Sequence, residues 1–201
     1  GGRSNAGVND KGCLEMGSTD RDVLLVLFRQ TDAARWRRKE GWDTCDELGK
    51  WYGVEVNEQG RVVRLNLFLN KLQGMIPAAL GQLSKLEWLN LSGNKLDGTI
   101  PAALGQLSKL ERLNLASNML DGPIPPELGD LSALLELGLY NNQLSGTIPA
   151  ALGQISKLEW LSLSENKLNG TIPKELGRLT ALEALWLSNN RLTGSIPPEL
   201  G

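Results

Sequence analysis

The feature that most constrains this chain is an asparagine that recurs every 24 residues, six times, without an insertion or a deletion. Proline and glycine recur at the same spacing, so each period contains one complete structural unit. Such self-similarity predicts a solenoid, in which each unit buries its apolar side chains against its neighbours. The recurring asparagines are Asn70, Asn94, Asn118, Asn142, Asn166 and Asn190.

The order of residue types within one unit predicts a path around the solenoid. Leu89 and Leu91 alternate with outward-facing residues, as in a strand with one buried face. Asn94 follows the strand, and its amide is expected to be buried and to bond backbone groups of adjacent coils. Ile100-Pro101 is expected to form a second short strand on the flank. The leucines that follow predict a short helical turn on the convex side, so the predicted fold is an α/β solenoid with a concave parallel sheet.

The pattern divides the chain into three segments. Residues 1–17 are expected to be a flexible leader, residues 18–59 a cap, and residues 60–201 six repeats with the start of a seventh, without a C-terminal cap. The end of a solenoid needs a cover for its apolar face. Ser18 or Thr19 followed by acidic residues predicts the start of a cap helix. Three tryptophans are expected to pack over the first coil: Trp36, Trp42 and Trp51.

Composition and motifs exclude several functional classes. The 201-residue chain has a net charge of −2 and no histidine. It therefore lacks the basic face that nucleic acid requires and the histidine of the common nucleophilic triads. No apolar run reaches the ~20 residues of a membrane helix, and no Gly-Lys-Ser/Thr phosphate-binding loop is present. We expect no catalysis, no metal or cofactor, no nucleic-acid partner and no direct membrane insertion of this segment.

The chain contains two cysteines, Cys13 and Cys45, both in its N-terminal part. Two cysteines without histidine are too few for a structural zinc site. A single disulfide and two inert thiols are both compatible with the sequence. We favour the disulfide, which would stabilise the cap by constraining the unfolded chain and would require an oxidising compartment.

Outward positions of the six predicted strands form three columns on the concave face, with neighbours about 4.8 Å apart. All five aromatic residues of the repeats fall in these columns, although leucine fills the core. Strands favour aromatic residues for packing alone, but exposed aromatics beside arginine are typical of binding hot spots. We predict a site for a peptide or protein edge, or for a glycan stacked on the rings. The predicted partner-binding residues are Phe68, Trp88, Arg112, Glu136, Tyr140, Trp160 and Trp186.

The repeated unit resembles the plant-specific class of leucine-rich repeats. The resemblance covers residues 62–201, with the pattern Leu-x-x-Leu-x-Leu-x-x-Asn-x-Leu-x-Gly-x-Ile-Pro-x-x-Leu-Gly-x-Leu. It implies a right-handed superhelix with a second strand that contains the Ile-Pro pair. Residues 51–56, Trp-Tyr-Gly-Val-Glu-Val, keep the frame of the plant cap motif but have valine in place of its cysteine. Residues 20–67 look more like the caps of brown-algal leucine-rich-repeat proteins.

These two resemblances imply different roles. Plant-class repeats occur in receptor-kinase ectodomains, receptor-like proteins and secreted enzyme inhibitors. Brown-algal arrays occur alone or ahead of Roco-type GTPase domains, and have been proposed as pathogen-recognition modules. Our hypothesis is a recognition module of a receptor or defence protein, with an extracellular location favoured over a cytoplasmic one. The alternatives are the sensing arm of a larger intracellular Roco-type GTPase and a secreted inhibitor of a foreign enzyme.

Overall fold

The computed structural model describes residues 19–201, so the predicted leader and Cys13 lie outside the described residues. The chain begins there with helix α1 (Thr19–Gln30) and continues in short strands and 3-10 turns. The strands are β1 (Val54–Val56), β2 (Val62–Asn66), β3 (Gln73–Met75), β4 (Trp88–Asn90), β5 (Lys95–Asp97), β6 (Arg112–Asn114), β7 (Glu136–Gly138), β8 (Trp160–Ser162), β9 (Asn169–Gly170), β10 (Ala184–Trp186) and β11 (Arg191–Leu192). The 3-10 turns are Leu48–Lys50, Ala78–Gln82, Ala102–Gln106, Pro126–Asp130, Ala150–Gln154, Lys174–Arg178 and Pro198–Leu200.

One sheet contains seven of the strands, in the order β1-β2-β4-β6-β7-β8-β10. From β2 onward all neighbours are parallel and paired in register, which confirms the predicted parallel sheet. Strand β1 instead pairs antiparallel with β2 and joins the cap to the first coil. The repeat pattern did not predict this pairing, because β1 precedes the first repeat. The connection between β1 and β2 is short, and short connections favour antiparallel neighbours.

The core runs through all coils on the inner side of the sheet. Within one coil, Leu89 in strand β4, Leu91 directly after it, and Leu96, Leu104 and Leu107 from the rest of the coil are fully buried. They belong to one continuous cluster that extends from the cap into the last coils. Because each buried leucine stabilises the fold by roughly 1.5–3 kcal/mol only when a neighbouring coil covers it, stability depends on stacking. The predicted short helical turns are confirmed as 3-10 turns.

The second strands are present, but they end before the Ile-Pro pairs, which corrects their predicted position. In the second coil the strand spans Lys95–Asp97, and Ile100-Pro101 follows it. Proline has no backbone N–H to donate to a ladder. Pro101 instead has an extended conformation and directly precedes the turn Ala102–Gln106, while Ile100 is buried in the core.

The cap is built around a cluster of aromatic rings. Trp36 lies against Phe28 and Trp42, with ring centroids 5.0 and 4.8 Å away, and the Phe28 and Trp42 rings stack at 5.7 Å. Trp42 also lies 5.0 Å from Trp51. The three tryptophans are buried in the same cluster as the leucines of the coils. The cap therefore closes the apolar end of the solenoid.

A buried carboxylate ties the cap helix to the first strand of the array. Asp20, in α1, is fully buried. It accepts hydrogen bonds from Nε and Nη2 of Arg61 at 2.9 and 2.8 Å, and from the backbone N–H of Val62 at 2.9 Å. The hydrogen bond with Asp20 raises the pKa of the Arg61 guanidinium above its usual value. The sequence indicated only that Asp20 begins a helix.

Asp20→Ala is expected to lower the free energy of unfolding by about 2–4 kcal/mol. The substitution leaves the Val62 N–H without an acceptor and Arg61 without its counter-charge. We place the value below that of a fully buried ion pair because the Arg61 side chain is 31% exposed. Urea unfolding followed by tryptophan fluorescence measures the loss. Asp22→Ala, at an exposed position of the same helical turn, is the control, and an equal loss in both variants would contradict this role.

Candidate functional site

Strand pairing aligns the outward side chains of the sheet in columns, and we call their surface the concave face. The pairing confirms the predicted order of the first two columns. Each side chain therefore has one neighbour from the preceding coil and one from the next. The first column is Arg64, Trp88, Arg112, Glu136, Trp160 and Ala184, and the second is Asn66, Asn90, Asn114, Gly138, Ser162 and Trp186.

Trp88 is held between the guanidinium groups of two neighbouring coils. The Arg64 Cζ lies 4.1 Å from the Trp88 ring centroid and the Arg112 Cζ lies 5.7 Å from it. Arg112 also pairs with Glu136, with 3.0 Å between Nε and Oε1, and Arg64 pairs with Glu55 at 3.6 Å. Trp88 is half-buried as a result. The Trp88 ring and the guanidinium groups of Arg64 and Arg112 therefore already interact with other groups of the protein.

Trp160 and Trp186 are more exposed, at 40% and 50%. Among the described residues, neither ring has a stacking partner or a cation over its face. They border an open depression of about 230 Å³ that spans five strands. Its lining consists of Trp88, Asn90, Arg112, Leu113, Asn114, Glu136, Leu137, Gly138, Trp160, Ser162 and Trp186.

The third predicted column does not face solvent throughout, which corrects the sequence interpretation. Ser92 is 5% exposed and Ala116 is fully buried. These positions lie two residues beyond the end of each short strand, in the turn, where alternation no longer sets the direction of the side chain. In that turn Asn90 Oδ1 accepts hydrogen bonds from the Ser92 N–H and hydroxyl at 3.0 and 2.7 Å. Asn114 makes the same backbone bond to Ala116.

Two predicted binding residues, Phe68 and Tyr140, belong to this third column and are exposed, at 49% and 40%. Neither lines the depression. Phe68 lies close to Gly93, where an added Cβ would stand 3.1 Å from the Phe68 ring. The structure thus brings together five of the seven predicted binding residues and leaves Phe68 and Tyr140 apart from them.

Five of the repeat asparagines bond the backbone between coils, and the first, Asn70, bonds the backbone of Arg38 in the cap. Asn118 Nδ2 donates to the carbonyls of Leu91 and Leu115 at 3.0 and 3.1 Å, and Asn118 Oδ1 accepts from the Leu96 N–H at 3.0 Å. The expected burial is incomplete, because only Asn70, Asn94 and Asn166 are buried. Asn118, Asn142 and Asn190 are partly exposed to solvent, although they make the same bonds. Bonding, rather than burial, is the shared property.

The sequence did not identify Gly138 and Arg64 as candidate residues of this surface. Gly138 interrupts the second column, where the preceding coils have asparagine, and no positive φ requires a glycine there. A glycine within a strand often marks a close approach by another molecule. Arg64 stood in the first column, but only the structure reveals its stacking on Trp88.

Within residues 19–201, no group of three or more histidine, cysteine, aspartate or glutamate side chains could hold a metal ion. Of the helices in the same range, none is both long and apolar enough to cross a bilayer. Cys45 is disulfide-bonded, and because its predicted partner Cys13 lies outside the described residues, that pairing stays a prediction.

The leucine rich repeat family model matches residues 60–120 and 132–192, which together are more than half of the chain. The chain belongs to the leucine-rich-repeat family. No curated protein gives a significant match to this leucine-rich-repeat chain by sequence.

Solved structures similar to this leucine-rich-repeat chain include plant receptor ectodomains. It is 30% identical to PEPR1 in the PEPR1–AtPEP1 complex, with a TM-score of 0.81, and the match covers 90% of this chain and 29% of that one. It is 31% identical to the BIR2 ectodomain from Arabidopsis thaliana, with a TM-score of 0.77 and coverage of 87% and 94%. A chain of the BIR3–SERK2 complex from Arabidopsis thaliana is 34% identical, with a TM-score of 0.70 and coverage of 86% and 95%.

The leucine-rich-repeat chain thus spans less than a third of PEPR1 but nearly all of the BIR2 ectodomain. These similarities confirm the predicted plant-type leucine-rich-repeat fold and support protein binding. The resemblance of the cap to brown-algal proteins stays a prediction.

Proposed function

We propose that this chain is a non-catalytic recognition module that binds a protein or peptide ligand on its concave face. The observation that carries the proposal is the depression bordered by Trp160 and Trp186, whose rings are 40% and 50% exposed. Exposed indoles leave apolar area in water, and their burial by a partner is favourable. Tryptophan and arginine at the centre of a surface are the residue types that contribute most to protein interfaces.

The similar solved structures support this class of function. Two of them are complexes, PEPR1–AtPEP1 and BIR3–SERK2. By this analogy we propose a recognition role in a receptor or defence protein. The surface itself adds to the analogy, because the residues that differ between otherwise similar coils, such as Trp160 and Gly138, face the depression.

Trp160→Ala is expected to weaken ligand binding by about 30-fold, which corresponds to about 2 kcal/mol. Its melting temperature is expected to match that of the wild type, because the side chain is 40% exposed and does not belong to the buried core cluster. Random linear peptides displayed on phage and selected on the folded protein supply the probes, and isothermal titration calorimetry gives their affinities.

Lys109→Ala, at an exposed position outside the concave face, is the matched control and is expected to leave the affinity unchanged. Equal affinity of the wild type and Trp160→Ala for every selected peptide would move the site away from the concave face. A glycan array run in parallel tests the competing ligand class. Binding of saccharides without binding of any peptide would replace the peptide with a glycan as the ligand.

A further inference from the structure

Two tryptophans of the first column have different neighbours although they occupy the same repeat position. Trp88 lies between Arg64 and Arg112, which pair with it from the preceding and following strands. Both guanidinium groups lie over its ring, at 4.1 and 5.7 Å from the centroid. Trp160 lies between Glu136 and Ala184. Trp160 therefore has the same place in its strand as Trp88, but no cation of the described residues lies over its ring.

We infer that the ligand of the concave face presents an arginine or lysine side chain to Trp160, on the side of Ala184. This inference rests on the proposed function and names the ligand class: a peptide or protein segment with a basic residue. The cation would take the position over the indole that Arg112 takes over Trp88. A cation over an indole face within about 6 Å is attracted by the electrons of the ring.

The charge around Trp160 is complementary to such a ligand. Glu136, on one side of Trp160, pairs with Arg112 through Oε1 at 3.0 Å and with no second cationic residue among the described residues. A basic side chain above Trp160 would thus find a carboxylate oxygen beside the ring.

The space next to Trp160 also fits an incoming side chain. Ala184 carries a single methyl group at the position where Arg112 stands relative to Trp88. Gly138 and Ser162 are neighbours in the second column and form a low floor between Asn114 and Trp186. A ligand backbone can therefore approach the sheet beside Trp160 while its basic side chain lies over the ring.

Ala184→Arg tests the inference directly, because it supplies from the protein the cation that we assign to the ligand. The probe is N-acetyl-arginine methylamide, followed through the indole N–H signal of Trp160 in ¹⁵N-labelled protein and assigned with Trp160→Phe. We expect saturable shifts of this signal in the wild type, at least about tenfold weaker binding in Ala184→Arg, and little change in Ala184→Met. The methionine variant adds comparable bulk without charge.

The same titration with capped lysine, norleucine, tyrosine and glutamate separates the ligand classes. Arginine and lysine are expected to bind more tightly than the other three, and Glu136→Gln is expected to weaken them severalfold. Tighter binding of capped tyrosine or norleucine, or unchanged arginine binding in Ala184→Arg, would overturn the inference.

The phage-selected peptides distinguish failure of this inference from failure of the proposed function. Peptides that require Trp160 but show no enrichment of arginine or lysine would refute the basic ligand and leave the concave site intact. Peptides that bind equally well to Trp160→Ala would refute the site itself. Enrichment of basic residues, lost when the selection is repeated on Ala184→Arg and kept on Ala184→Met, is the result that we expect.

Discussion

Replacing Asn94 with alanine is expected to lower the free energy of unfolding by about 3–5 kcal/mol. Its Oδ1 accepts from the N–H groups of Asn70 and Leu72, both at 3.0 Å, and Nδ2 donates to the Leu67 and Leu91 carbonyls, both at 2.9 Å. These bonds are buried, and each orphaned backbone group costs about 1–3 kcal/mol. Alanine has no polar atom to replace them, and a water would have to enter a closely packed core.

Urea unfolding followed by tryptophan fluorescence measures the effect of Asn94→Ala. Asn169→Ala is the matched control, because Asn169 is exposed and makes no side-chain hydrogen bond among the described residues. Asn118→Ala is expected to fall between the two, since Asn118 makes similar bonds but is only half-buried. If Asn94→Ala unfolded at the same urea concentration as Asn169→Ala, the asparagine ladder would have no role in stability.

Gly105→Ala is expected to cost about 3 kcal/mol or more, although it adds one methyl group. Gly105 lies in the turn Ala102–Gln106, directly against the turn of the next coil. A Cβ there would overlap the backbone oxygen of Glu127 and stand 2.8 Å from its carbonyl carbon. Because the obstacle is backbone, the coils themselves must move apart, and overpacking of this kind costs at least the usual 1–3 kcal/mol.

Gly138→Ala provides the matched control for this substitution. Neither glycine has a positive φ, so both can adopt their backbone conformation with a side chain. The three atoms nearest to a Cβ at Gly138 would all belong to the Asn114 side chain, the first at 3.2 Å, and that side chain needs to shift by only a few tenths of an ångström. We expect Gly138→Ala to be neutral or slightly stabilising, since alanine reduces the freedom of the unfolded chain. Thermal unfolding of the two variants gives the comparison, and equal melting temperatures would contradict close contact between the turns.

The sequence by itself determined the solenoid. A pattern of 24 residues fixes which leucines face inward, because burial requires the same face in every coil. It therefore predicted the parallel sheet and the helical turns, and it identified the asparagines that bond between coils. The columns on the concave face followed from the same alternation, and strand pairing confirmed the first two.

The third column failed because its positions lie beyond the ends of the strands, where alternation no longer applies. Ser92 was predicted to face outward, but the strand ends at Asn90 and Ser92 lies in the turn that follows, where it is 5% exposed. The position of the second strand was predicted wrongly. Proline has no N–H to donate, and this excludes it only from ladder positions that require a donor, which the repeat pattern does not identify. Neither feature can be read from a period alone.

Only the tertiary structure decided which concave aromatic rings are covered by other side chains. Trp88 and Trp160 occupy the same repeat position, yet Trp88 is covered by Arg64 and Arg112, while no cation of the described residues lies over the Trp160 ring. The ion pair between Asp20 and Arg61 was likewise decided by the tertiary structure, because the two residues are 41 positions apart in the sequence and meet in the cap. The physical reason is that a repeat pattern records what each coil shares with the others. Contacts between side chains that differ from coil to coil depend on which residues the stacking brings together.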